Sequence, residues 1–137
     1  MKNTGKEAER SFVAYWQVHG HIERLRDRAD LVALNGDKSI KDFAKPSDFL
    51  VSSKDTALHF AEVKSTMDAK CLPFGNIKMG QHTAALMEAR RGAGSYVFYI
   101  FSYAKGRWYI MPASQYAALV DEGRRSVKFE ELLQWAK

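Results

Sequence analysis

The chain has 137 residues, of which 46% are hydrophobic and 12% aromatic, and this composition excludes a disordered protein. The net charge of +5 favours a polyanionic partner, although a basic surface also serves solubility alone. Cys71 is the only cysteine, which excludes an intrachain disulfide, and no apolar run approaches the roughly 20 residues of a membrane span. We therefore expect a protein of the reducing cytoplasm.

The N-terminal part of the chain predicts one helix followed by extended segments. Thr4 and Glu7 have the spacing of a capping box, an apolar stripe from Ala8 to Trp16 follows, and Gly20 is expected to end the helix. Residues 24–28 are charged and ambiguous, residues 29–34 predict a short strand, and residues 36–45 predict an exposed, lysine-rich loop. Two strands of a hairpin are predicted next, at 47–52 and 57–64.

The C-terminal part alternates between helices and strands. Residues 65–80 are expected to be irregular, and a helix is predicted from Gln81 to Arg91. The nearly continuous apolar run 95–103 predicts a central strand buried on both faces, joined by a turn at Lys105-Gly106 to a strand at 107–111. Two more helices are predicted at 112–120 and 128–136. The order predicts a single α/β (α+β mixed) domain over residues 1–137, with a mixed central β-sheet flanked by helices.

The two hairpin strands carry the most informative residues of the chain. Asp48 lies at the mouth of the first strand, and Glu62 and Lys64 share one face of the second because strand side chains alternate. The two carboxylates and the carbonyl of Val63 supply the oxygen ligands that Mg²⁺ prefers, with Mn²⁺ as a substitute. A lysine beside them suits phosphodiester hydrolysis, because it orients water and offsets phosphate charge. The alternative is a surface hairpin with solvated charges, and one metal ion or two remains open.

Pro46-Ser-Asp48 and Glu62-Val-Lys64 resemble the signature of the PD-(D/E)xK nucleases. Three further segments in the same order resemble the RecU-type Holliday-junction resolvases of that superfamily, in a small, phage-like form, over roughly residues 3–111. The segments are Asn3-Thr-Gly-Lys-Glu-Ala-Glu9, Leu72–Gln81, and the strand pair Tyr96–Ser102 with Trp108–Pro112. The resemblance implies a restriction endonuclease-like core and a Mg²⁺-dependent endonuclease that resolves branched DNA as a homodimer.

The resemblance also implies roles for two residues outside the hairpin. Glu9 would bind the metal through water or bond to one of its ligands, and Gln81 would contact the scissile phosphate or orient Lys64. Each has an ordinary alternative as an exposed or first-turn helix residue. Bacterial members of this group have a long stalk-like insertion between an early strand and the catalytic aspartate, and it engages the centre of the junction. Here only Asn35 to Lys45 lies between the predicted early strand and the Asp48 motif. The resemblance therefore leaves junction selectivity open.

Five lysines near these motifs are candidate DNA contacts: Lys6, Lys38, Lys41, Lys45 and Lys78. The four histidines lack the spacing of a zinc site and are expected to be structural or surface residues. The stripe Phe129, Leu132, Leu133 and Trp135 fits a dimer interface or the core equally well. Rival functions are another nuclease of the same fold (nicking, repair or restriction type), a non-catalytic DNA-binding module and a protein-interaction domain.

Overall fold

A computed structural model of the chain describes residues 4–26, 45–92 and 94–135. Its helices and strands, in chain order, are α1 (Thr4–His19), β1 (His21–Arg24), β2 (Phe49–Ser53), β3 (Thr56–Thr66), β4 (Cys71–Pro73), α2 (Met79–Arg91), β5 (Tyr96–Ser102), β6 (Arg107–Pro112), α3 (Ala113–Asp121), β7 (Ser126–Lys128) and β8 (Leu133–Gln134). Single 3₁₀ turns occur at Phe74–Asn76 and Phe129–Glu131. Among the described residues, no helix is long and apolar enough to span a membrane.

The central sheet has the strand order β1-β2-β3-β5-β6-β8. Strands β3 and β5 are parallel, and the other neighbours are antiparallel, so the sheet is mixed, as predicted. The parallel pair requires a crossover, which passes through β4, a 3₁₀ turn and α2. Strands β4 and β7 form a separate antiparallel pair.

Two hydrophobic clusters lie on opposite faces of the sheet. One contains the α1 side chains Ala8, Phe12 and Trp16 packed on Ala61 and Val63 of β3. The other contains residues of α2 and α3 packed on β5 and β6. Because β3 side chains alternate, Glu62 and Lys64 must point to the α2 side of the sheet, opposite to Val63.

Several predicted elements are confirmed with small shifts of their ends. Helix α1 carries the apolar stripe and stops just before Gly20, where an added Cβ would lie 2.2 Å from the Ser52 carbonyl oxygen. Strand β5 is central and largely buried, paired with β3 and β6. The turn into β6 contains Gly106 at φ 64°, a conformation that favours glycine.

Two predicted segments are wrong. Residues 65–80 are ordered, because β3 continues to Thr66, β4 pairs with β7, and α2 begins at Met79 rather than Gln81. The helix predicted at 128–136 is a 3₁₀ turn followed by β8. The reason is that Phe129 and Leu132 enter the core, while the Trp135 amide donates to the Trp108 carbonyl of β6.

Strand β1 was not predicted, because only Ile22 of its four side chains is partly buried and its order comes from backbone pairing with β2. The strand predicted at 29–34 and most of the 36–45 loop lie outside the described residues. In the C-terminal stripe, Phe129 and Leu132 belong to the core, and Leu133 is 70% exposed.

Candidate active site

Asp48 and Glu62 meet where β2 begins beside the middle of β3. The register pairs Phe49 with Ala61, which leaves Asp48 next to Glu62. The Asp48 amide donates a hydrogen bond to Glu62 Oε1 (3.0 Å), and the Val63 amide donates one to Asp48 Oδ2 (3.1 Å). These reciprocal bonds use one oxygen of each carboxylate and hold the two groups together.

The remaining oxygen of each carboxylate faces a lysine. Lys45 Nζ lies 3.4 Å from Asp48 Oδ1, and Lys64 Nζ lies 3.2 Å from Glu62 Oε2. The side chains of Lys45 and Lys64 are only 16% and 13% exposed. The site is therefore a compact cluster of two carboxylates and two ammonium groups at the edge of the α2 face.

The carboxyl group of Glu62 is buried beside a second carboxylate, and its pKa is raised as a result. Its exposed fraction is 2%. Burial, and after it the charge of Asp48, raise the pKa of Glu62 to about 8, while Lys64 acts in the opposite direction. Two neighbouring carboxylates with little access to water are stabilised by additional positive charge.

The donor set fits a hard divalent cation. Asp48 and Glu62 offer carboxylate oxygens, the ligands that Mg²⁺ prefers. The N–H and C=O of one residue point to the same edge of a strand, so the Val63 carbonyl is directed to the Asp48 side, as its amide is. Within residues 4–26, 45–92 and 94–135, no group of three or more His, Cys, Asp or Glu side chains converges on one point. Among the described residues, the side-chain ligands would therefore be Asp48 and Glu62.

Gln81 joins the cluster from the first turn of α2. Its Oε1 accepts hydrogen bonds from the Lys78 amide (2.9 Å) and from Lys64 Nζ (3.4 Å). The first bond satisfies an amide at the start of the helix, and the second holds the ammonium group of Lys64. Gln81 is thus a first-turn helix residue that also contacts Lys64, and its role toward the scissile phosphate or in orienting Lys64 stays a prediction.

Glu9 lies at the periphery of the cluster. Burial raises its pKa, and the charge of Asp48 raises it further. Its ion pair, however, is with Arg24 (3.8 Å), whose guanidinium group also lies over the Phe49 ring at 5.6 Å. Arg24 was not among the predicted residues, because nothing in the sequence pattern indicates that β1 brings it beside α1.

The predicted DNA contacts are distributed unevenly around the site. Lys45 contacts Asp48 directly, Lys6 is exposed on α1, and Lys78 is exposed at the start of α2. Lys38 and Lys41 lie outside the described residues. The ion pair of Lys45 was not predicted, although its position three residues before Asp48 was a signal for it.

Two further hydrogen bonds join β5 to the segments that carry the site residues. The Tyr96 hydroxyl donates to the Pro46 carbonyl and so ties the segment before Asp48 to β5. His59 is buried, with Nε2 2.7 Å from the Tyr99 hydroxyl, on the opposite face of β3 from Glu62. Its role is structural, as expected for a lone histidine.

No protein-family model and no curated protein sequence matches the chain. Among solved structures, it is similar to Hjc of Archaeoglobus fulgidus, a Holliday junction resolvase from an archaeal hyperthermophile. The TM-score is 0.55, the sequence identity is 14%, and the match covers 95% of each chain. The two proteins share a fold. The likeness agrees with the predicted mixed α/β nuclease-like architecture and does not single out the RecU-type group.

Proposed function

We propose that the protein is a metal-dependent DNA endonuclease that hydrolyses phosphodiester bonds at the Asp48–Glu62 cluster. The observation that supports this most strongly is the contact between the two carboxylates through reciprocal amide bonds, with Lys64 3.2 Å from Glu62. An ordinary surface hairpin would leave these charges solvated and separate. Here both carboxylates are buried side by side, which is unfavourable for the free energy of folding. Such arrangements occur more often in catalytic sites than elsewhere in proteins.

Asp48, Glu62 and the Val63 carbonyl would hold Mg²⁺, or Mn²⁺ in its place. The bound ion would polarise a phosphate oxygen and lower the pKa of a water molecule. Lys64 would orient the attacking water and offset the negative charge that develops on the phosphate. Gln81 would keep the Lys64 ammonium in position, and Glu9 would act through its charge on Asp48 rather than by direct contact.

The substrate is proposed to be branched DNA, with Holliday junctions as the specific case. Two observations support it: the fold shared with an archaeal Holliday junction resolvase and the net charge of +5. Resolution requires paired incisions, so the proposal includes a homodimer with one site in each copy. It also includes a single nuclease domain and action in the cytoplasm.

Cleavage of a four-way junction compared with a linear duplex of the same sequence tests the proposal. In Mg²⁺ we expect cuts on two opposing strands of the junction and slower cutting of the duplex, with no product in the presence of a chelator. Equal rates on both substrates would favour a nicking, repair or restriction type nuclease. Binding without cleavage in Mg²⁺ or Mn²⁺ would instead favour a DNA-binding module.

A further inference from the structure

A basic groove lies beyond the catalytic cluster, and none of the predicted DNA contacts belongs to it. Its volume is about 670 Å³, and four exposed cationic side chains line it: Lys70, Lys105, Arg107 and Lys128. The acidic residue among its lining is Glu130. Because these cations come from three separate segments of the chain, their convergence on one concavity does not follow from a charged run in the sequence.

The groove opens on the same face and at the same end of the sheet as Lys64. The register aligns Lys64 with Ile100 and Ile100 with Tyr109, which lines the groove. Arg107 lies two residues further along β6. With strands about 4.8 Å apart and about 3.3 Å per residue, the Arg107 backbone is roughly 12 Å from that of Lys64 and roughly 16 Å from that of Glu62.

The four cations are available to an external anion. Within the part of the chain that the structure describes, none of them forms an ion pair. Glu131 pairs with Arg124 at 2.6 Å and accepts a hydrogen bond from the Lys128 amide at 2.8 Å, but it forms no ion pair with the Lys128 ammonium group. The groove therefore keeps an excess of positive charge that the fold itself does not neutralise.

We infer that this groove binds the phosphate backbone of the DNA arm that extends from the cut site. The inference rests on the proposed function, since it assigns a second region of the protein to the same substrate. A separation of roughly 12–16 Å corresponds to about four or five base pairs at about 3.4 Å each. An arm of that length would reach from the scissile phosphate to the groove, and a shorter arm would not.

The matched test compares two double variants that remove the same charge. Lys105→Ala/Arg107→Ala alters the groove. Lys54→Ala/Arg90→Ala alters exposed residues toward the opposite end of the sheet, at the β2–β3 turn and the end of α2. The affinity of each protein for a four-way junction is measured in chelator over a range of salt concentrations, so that no cleavage occurs.

Log K falls as log salt rises, and the groove variant is expected to make this fall less steep by about 0.9 for each phosphate that it no longer neutralises, close to 2 in all. The control variant is expected to leave the slope unchanged. Shortening the arms below about four base pairs should weaken wild-type binding and have little further effect on the groove variant. Glu130→Gln should increase affinity, which a misfolded protein would not do.

The outcome separates this inference from the proposed function. If the wild type cuts DNA in Mg²⁺ and both double variants keep its salt slope, the groove does not bind DNA and the nuclease assignment stands. If the groove variant alone changes the slope while no protein cuts DNA, the groove binds DNA and the nuclease assignment is wrong.

Discussion

Glu62→Gln should change how the stability of the metal-free protein depends on pH. Glu62 is buried beside Asp48, which raises its pKa from 4.5 to about 8. The folded protein therefore holds this proton more tightly than the unfolded chain does. Stability from the protonated carboxyl is complete below pH 4.5 and is lost as the pH rises to about 8.

The expected magnitude follows from the two pKa values. Each pKa unit corresponds to about 1.36 kcal/mol, so a rise from 4.5 to about 8 costs the wild type at most about 5 kcal/mol between those limits. Glutamine fills the same space without titrating. The difference in the free energy of unfolding between wild type and Glu62→Gln should accordingly change by about 3 to 5 kcal/mol over this range.

Urea unfolding at a series of pH values in chelator measures this difference. The substitution also changes the hydrogen bonds of the side chain, which adds a constant offset. The attraction of Lys64 for the ionised carboxylate is already part of the pKa of about 8, so the informative quantity is the slope with pH. Parallel stability curves for the two proteins would refute the reasoning. Added Mg²⁺ at pH 8 should stabilise the wild type and not Glu62→Gln, since only the former has the second carboxylate ligand.

Three other substitutions test the scaffold around the site. Gln81→Ala should lower the free energy of unfolding by about 1 kcal/mol and slow cleavage, because it removes the hydrogen bond to the Lys78 amide at the start of α2 and a partner of Lys64. Gln81→Glu keeps the acceptor oxygen and should restore the stability measured by urea titration. Gly20→Ala should destabilise the fold by roughly 1–3 kcal/mol because its Cβ would meet the Ser52 carbonyl oxygen at 2.2 Å, and an unchanged thermal midpoint would contradict this close approach. Burial lowers the pKa of His59, so the contribution of neutral His59 to stability should decline as the pH falls below 6.5, and the difference in the free energy of unfolding between wild type and His59→Gln should shrink over that range in the same titration.

The position of the Asp48, Glu62 and Lys64 cluster was largely predictable because its residues obey local rules. Strand alternation alone places Glu62 and Lys64 on one face and Val63 on the other, and a hairpin between them and Asp48 requires only the usual turn geometry. The central strand β5 followed in the same way from a continuous apolar run. For these residues the local pattern and the tertiary environment favour the same answer.

The errors arose where tertiary contacts override the local pattern. Residues 128–136 have helix-forming composition, yet the core requires Phe129 and Leu132 in positions that a continuous helix does not supply. Strand β1 has little apolar pattern because it is an edge strand, ordered by β2. Arg24 could not be selected from the sequence for the same reason, since it approaches Glu9 only through that pairing.

Cleavage of a four-way junction by the wild type, Asp48→Asn and Lys64→Ala, each in Mg²⁺ and in chelator, tests the central claim most directly. The wild type should cut only with the metal. Asp48→Asn and Lys64→Ala should bind the junction with near-wild-type affinity and cut it at least about a hundredfold more slowly, the scale expected when one charge-stabilising group is removed. Wild-type cleavage rates in both variants would contradict the assignment of this cluster as the hydrolytic site.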